Sequence, residues 1–334
     1  MTAPPDTSGS AAEARPEAAL DGMSAKAIEG RSLGQIAWLR LKRDKVAMVA
    51  GGVVVVLVLV AVAGLLLDRV FDVVHPNTFH EDLVDRAGGT LAPTGALGGM
   101  SWDHIMGVEP GNGRDIAARV FSGAWISLLI AFLATLLSVF IGTVLGVTAG
   151  YFGGWVDTLI SRAMDVFLAF PLLVFAIALV GTVPDEMFGL RGESLRIAML
   201  IFIIGFFNWP YAGRIVRGQT LSLREREFVD ASRSLGARSP HILFKELLPN
   251  LVAPVLVYAT LLIPTNILFE SALSFLGVGV NAPTATWGGM LSEAAAYYTI
   301  PHFMIWPGLA IFVTVLAFNL FGDGLRDALD PRAR

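Results

Sequence analysis

The sequence contains no cysteine, which excludes disulfide frameworks, thiolate nucleophiles and cysteine-based zinc sites. It is also poor in charge: 16% of its 334 residues are Asp, Glu, Lys or Arg, against about 25% in a soluble globular protein. No Gly-x-x-x-x-Gly-Lys-Ser/Thr loop occurs, so the chain does not bind ATP in the P-loop manner; any ATP that powers it is hydrolysed on another subunit. A net charge of −4 offers no basic surplus for nucleic acid. The five histidines, His75, His80, His104, His241 and His302, have no ligand-like spacing, and no metal site is expected.

What is plentiful is apolar sequence. Hydrophobic residues make up 54% of the chain, mean hydropathy is +0.65, and the apolar residues gather in blocks rather than at amphipathic spacing. Residues 46–67 form the first candidate span: a helix of that length reaches about 33 Å, enough to cross a hydrocarbon core. Five more candidates follow at residues 121–149, 159–183, 195–216, 251–275 and 303–321. Pro171, Pro254 and Pro264 fall inside spans, where a freed carbonyl must be satisfied by neighbouring helices or water. The expected class is an all-α integral membrane protein with six transmembrane helices.

The flanks suggest an orientation. Residues 1–30 are rich in Ala, Pro, Ser, Gly and Glu and read as a disordered cytosolic tail rather than a signal peptide. Residues 31–45 read as an amphipathic helix at the membrane surface, with Ser32 as its cap and Arg40, Lys42, Arg43 and Lys45 near headgroups, or as a plain basic flank. With the N-terminus inside, 18 of the 24 Lys and Arg lie in inner segments. Only Arg69, Arg86, Arg114, Arg119, Arg191 and Arg196 fall outside or near outer ends. The bias places both termini in the cytosol. It makes residues 68–118 an extracytoplasmic loop, residues 119–325 the core with spans two to six, and residues 326–334 a cytosolic end.

The longest inner connection, residues 217–250, carries the functional signal. Phe228, Ala231, Ser232 and Leu235 fall at i, i+3, i+4 and i+7, one face of a two-turn helix. Gly236 stands where such a helix needs positive φ to stop. Ser239 and Pro240 suit the start of a second helix that Pro249 would end. On pattern alone this is a helix-turn-helix at the membrane surface or an amphipathic loop on lipid.

This segment resembles the EAA loop of ATP-binding-cassette (ABC) importer permeases, patterned Glu-Ala-Ala, three residues, Gly, nine residues, Ile, one residue, Leu-Pro. Asp230, Ala231 and Ser232 stand at its first three positions, followed by Gly236 and by Leu248 and Pro249, while Glu246 occupies the usual apolar position. Gly113-Arg114-Asp115 resembles the segment before span two in C-type permeases of the dipeptide, oligopeptide and nickel group. Asp165-Val166-Phe167 to Phe170-Pro171, Leu273 to Gly279, Trp287-Gly288 and Asn319 to Pro331 are similar to further segments of that family, in its order. The match departs at residues 107–112 and does not extend to the tail or to residues 68–100.

The resemblance implies a type I ABC importer permease fold in the bacterial cytoplasmic membrane. It also implies a heterodimer with a B-type permease subunit, two ABC ATPase subunits that use ATP and Mg, and an extracytoplasmic substrate-binding protein. The implied activity is transport, of dipeptides or oligopeptides, without an ATPase site or cofactor on this chain; relatives with the same motifs carry nickel chelates or other small solutes. The coupling loop would dock Phe228, Asp230, Ala231, Ser232, Leu235, Gly236, Leu248 and Pro249 against an ATPase. Asn266 and Glu270, four apart on one face, and Asp165 are candidates for lining the pathway or for bonds within the bundle or to the B-type subunit. Arg114 and Asp115 are candidates for the outer mouth. An ion-coupled secondary transporter is the rival reading, disfavoured because no internal repeat is visible.

Overall fold

Stretches this apolar cannot leave backbone N–H and C=O groups unpaired in a bilayer, so helix is the available conformation. The computed structural model describes residues 33–69, 71, 75–182, 184, 186–187 and 189–329. The tail expected over residues 1–30, the capping role of Ser32 and residues 330–334 lie outside the described residues. In chain order the helices are α1 (Leu33–Leu41), α2 (Lys45–Arg69), α3 (Ile116–Phe152), α4 (Gly154–Ala169), α5 (Leu172–Thr182), α6 (Gly192–Leu223), α7 (Glu227–Ser234), α8 (Ser239–His241), α9 (Leu248–Phe275), α10 (Trp287–Ala295) and α11 (Pro301–Leu329). A two-residue hairpin, β1 (Glu186–Met187) against β2 (Leu190–Arg191), is a minor addition to the expected all-α class. Among the described residues five helices are long and apolar enough to cross a membrane, and the bent pair α4–α5 makes a sixth.

That pair covers the third span expected over residues 159–183, broken at its internal proline. α4 and α5 meet at 80°. Pro171 has no N–H to continue the ladder, and its ring drives Phe170 out of the helical region, to φ −77° and ψ 127°. Pro254 and Pro264, by contrast, sit within a continuous α9.

One correction concerns the connection after α7. Arg238, not Ser239, is the N-cap of α8, with no side-chain capping bond, and the helix does not stop at Pro249. It runs unbroken from Ser239 to Phe275 through a π turn at Ile242–Leu247. Leu248 N–H bonds back to the Leu243 carbonyl, five residues away. The wider turn makes room for the Pro249 ring, whose clash with the preceding turn would end an ordinary helix.

α3 and α6 form the tightest pair, and small residues set its distance. Gly142, Gly146 and Gly150 recur every four residues on one face of α3. A Cβ added to Gly142 would lie 2.6 Å from Ala212 Cβ, one on Gly146 2.7 Å from the Gly213 carbonyl oxygen, and one on Gly150 2.6 Å from Thr220 Cβ. Without a hydrophobic drive between helices in lipid, such close backbone approach supplies the dispersion and hydrogen bonding that hold them. Ser138 Oγ adds a bond to the Gly205 carbonyl at 2.7 Å. The apolar core between α3, α5, α6 and α9 is built from Ile130, Ala176, Leu200, Ile203 and Leu273. α2 and α11 pack beside it, and α1 reaches α11 through a small cluster of Leu41, Ala47 and Ala328.

Candidate functional site

α7 stands at one end of the bundle, displayed on a firm base. Its one buried residue, Val229, enters a cluster with Val147, Val216, Ile242, Leu247 and Leu251, so the helix is seated on α3, α6 and the start of the long helix. Leu248 packs at the edge of that cluster, and Pro249 is exposed on the continuing helix. α7 ends as a Schellman motif: Ala237 N–H bonds to the Ser232 carbonyl at 3.0 Å and Gly236 N–H to the Arg233 carbonyl at 2.9 Å. Gly236 supplies the φ of +83° that this stop requires.

The expected apolar face points outward. Phe228 is 37% exposed, Leu235 is 89% exposed, and Ala231 is exposed between them. Asp230 lies on the rim, 3.2 Å from Arg233. Ser232 departs from the face and turns inward, donating to Glu246 Oε1 at 3.0 Å. Two departures from the EAA pattern, Ser for Ala and Glu for Ile, thus satisfy each other.

A second polar arrangement lies near the middle of three spans. Thr135 of α3 donates to the Ala131 carbonyl at 2.8 Å, so its Oγ1 is left to accept from Asn266 Nδ2 of α9, also at 2.8 Å. Asn266 Oδ1 then accepts from Asn208 Nδ2 of α6 at 3.0 Å. Asn266 is therefore a bundle bond, one of the roles expected for it. Glu270 is fully buried and takes its bonds from Ser274 at 2.8 Å and Ser271 at 3.4 Å. Asp165 is about half exposed and pairs with Arg214 at 2.7 Å and Arg162 at 3.5 Å.

The opposite end holds Arg114 and Asp115, the candidates for the outer mouth. Arg114 is buried, bonded to Glu109 at 2.6 Å and to Glu293 of α10 at 2.8 Å. Arg119 pairs with the same two carboxylates and bonds Asn77 at 3.1 Å and the Pro283 carbonyl at 3.2 Å. Burial pushes the Glu109 carboxyl up to about 7, against the opposing pull of Arg119 and Arg114. Asp115 caps α3 through the Ala118 N–H at 2.7 Å and holds His104 at 2.6 Å. Two buried guanidiniums thus sit between two carboxylates in a knot whose Glu293 corner stays partly exposed.

Of the knot only Arg114, and of the relay only Asn266, was a site candidate from the sequence; Glu109, Arg119, Glu293, Asn208 and Thr135 were not. A lone amide in the apolar run of span four was the available signal for Asn208.

Comparison with known proteins agrees with this architecture. Residues 142–334 match the family model described as binding-protein-dependent transport system inner membrane component. Residues 32–75 match the N-terminal TM domain of oligopeptide transport permease C. The chain is 38% identical over 299 residues to the dipeptide transport system permease protein DppC of Alkalihalophilus pseudofirmus, covering 89% of this chain and 90% of that protein. It is 40% identical over 322 residues to the glutathione transport system permease protein GsiD of Escherichia coli O6:K15:H31, covering 96% and 98%. An inward-facing structure of the MetNI methionine ABC transporter aligns with a TM-score of 0.52 at 18% identity, over 64% of this chain and 98% of that one, which supports the type I permease fold alone. This multi-pass inner-membrane chain is a permease component rather than an enzyme, and it belongs to the binding-protein-dependent transport system inner membrane component family.

Proposed function

We propose that this chain is the C-type half of an importer of short peptides, driven by separate ATPases that dock on α7. One observation carries the coupling role: an apolar face at Phe228, Ala231 and Leu235 is held out to solvent on a helix that is itself fixed by Val229 and the Gly236 stop. Exposed large apolar groups on a rigid mount suit a protein contact. The rim pairs add little, about 0–1 kcal/mol each. The charge bias along the chain supports a cytosolic α7 and cytosolic termini, where ATP and Mg would be bound by the ATPases and not by this subunit. A B-type permease would supply the other half of the pathway, and a binding protein would deliver cargo at the Glu109 end. Peptide cargo is supported by the dipeptide and glutathione permeases among its relatives.

The test is uptake of labelled di- and tripeptides into proteoliposomes that hold the whole complex. Leu235→Asp should reduce ATP-driven uptake at least tenfold and weaken co-purification of the ATPases, with membrane insertion unchanged. Gly236→Pro, which cannot adopt positive φ, should do the same. Normal uptake in both variants would remove α7 from the coupling role.

A further inference from the structure

The 80° break between α4 and α5 opens a cavity of about 410 Å³ against α6 and α9. That volume is within the range of small-molecule sites, roughly 300–1,000 Å³. Its walls are largely aromatic: Phe167 and Phe170 at the break, Phe207 and Tyr211 on α6, and Phe269 on α9. One lining residue differs in kind. Asn208 is only 2% exposed, and its amide orientation is set by the relay described above.

The direction of that relay can be followed link by link. The Thr135 proton is committed to the Ala131 carbonyl, so the Thr135 oxygen must accept, which turns Asn266 Nδ2 toward it. Asn266 Oδ1 therefore accepts, which turns Asn208 Nδ2 toward it. Asn208 Oδ1 is left as the far end of the chain, and among the described residues no donor reaches it. Broken helices at membrane depth are themselves tolerated only where they line a cavity or pack in protein. The relay thus orients the Asn208 amide at the wall of an apolar cleft, near the middle of α6.

We propose that this cavity binds a short apolar peptide in transit, with Asn208 Oδ1 accepting one backbone N–H and the phenyl rings covering the side chains. An acceptor reads an N–H and rejects a carbonyl or carboxylate at the same point. The aromatic walls favour apolar side chains over charged ones, which have no counter-charge among the lining residues. The inference rests on the peptide-import reading and adds to it a place and a recognition rule.

Two measurements on the full complex in proteoliposomes test it. The first compares uptake of tri-leucine with uptake of its analogue methylated on the central amide nitrogen, in wild type and in Asn208→Ala. Selection by the binding protein is common to both complexes and cancels in the ratio of ratios, as does a general loss of activity from the broken relay. Wild type should favour the unmethylated peptide about tenfold more than the variant does, the value of one good hydrogen bond. An equal ratio in the two complexes overturns the role of Asn208.

The second uses the absence of native cysteine. Val174→Cys places a thiol at the cavity mouth, where the native side chain is exposed. Saturating tri-leucine should slow its alkylation at least threefold. Unchanged labelling, or no labelling because a neighbouring subunit fills the cleft, overturns the proposal. A wild-type complex that moves other solutes but no tripeptide removes the import reading itself, and the cavity assignment with it.

Discussion

The two ends of this bundle handle charge and apolar surface in opposite ways. At the Glu109 end, four titratable side chains from the loop, α3 and α10 are drawn together and largely withdrawn from water. At the α7 end, apolar side chains are pushed out and charges are left in solvent at the rim. Both ends carry segments that resemble motifs of the same permease family, yet one is closed on itself and the other is unfinished. Motif resemblance alone therefore does not separate a structural residue from a docking residue. Whether a side chain's needs are met within its own chain does.

The contrast can be tested by mutation, and the largest effect belongs to the closed end. Arg119→Ala leaves Glu109 buried with one guanidinium fewer. Breaking a buried pair from one side costs about 3–5 kcal/mol, so thermal melting of the purified subunit should fall sharply; a small shift would mean that the knot is looser than its burial implies. The next effect is a pH slope. The native state holds the Glu109 proton up to about 7 while an ordinary carboxyl releases it near 4.5. Stability from this group is therefore full below 4.5 and declines as pH rises to 7. Glu109→Gln should flatten that decline, and a slope that survives in the variant belongs to other groups.

Effects at the α7 end should be smaller in stability and larger in transport. Ser232→Ala or Glu246→Ile alone removes one partner of a part-buried bond, for about 0.5–1.5 kcal/mol. The double variant, which restores the commoner family residues at both positions, should lie closer to wild type than either single change. Strict additivity in chemical denaturation would show that the two residues are not coupled. Leu235→Ala should move stability by no more than about 0.5 kcal/mol while lowering ATP-driven uptake, and equal losses in both assays would contradict the view of this face as a free docking surface.

How much of this was legible in the sequence differs from element to element. The spans were, because blocks of Val, Leu and Ile longer than a bilayer is thick have few alternatives. Gly236 was, because a single positive φ is a local demand. The break at Pro171 and the passage through Pro249 were not separable beforehand: both are prolines in apolar helices, and what distinguishes them is the π turn before Pro249 and the cavity beside Pro171. The knot escaped notice because Arg114 and Glu293 lie 179 residues apart, and only the packing of α10 beside α3 brings them together. The Asn208 relay escaped for the same reason, since Thr135, Asn208 and Asn266 lie on three separate helices that only the packed bundle brings together.

The unbroken helix from Ser239 to Phe275 has a mechanical consequence. Its 37 residues make a rod about 55 Å long. Each degree of tilt about one end of such a rod displaces the other by about 1 Å. The rod begins beside α7 and passes Asn266, so a few degrees of rotation at its base would shear the contact between Asn266 and Asn208 by a sizeable fraction of a hydrogen-bond length. Lever arithmetic of this kind makes a small stroke at the base sufficient to reset a site at mid-membrane, provided that nothing between them bends.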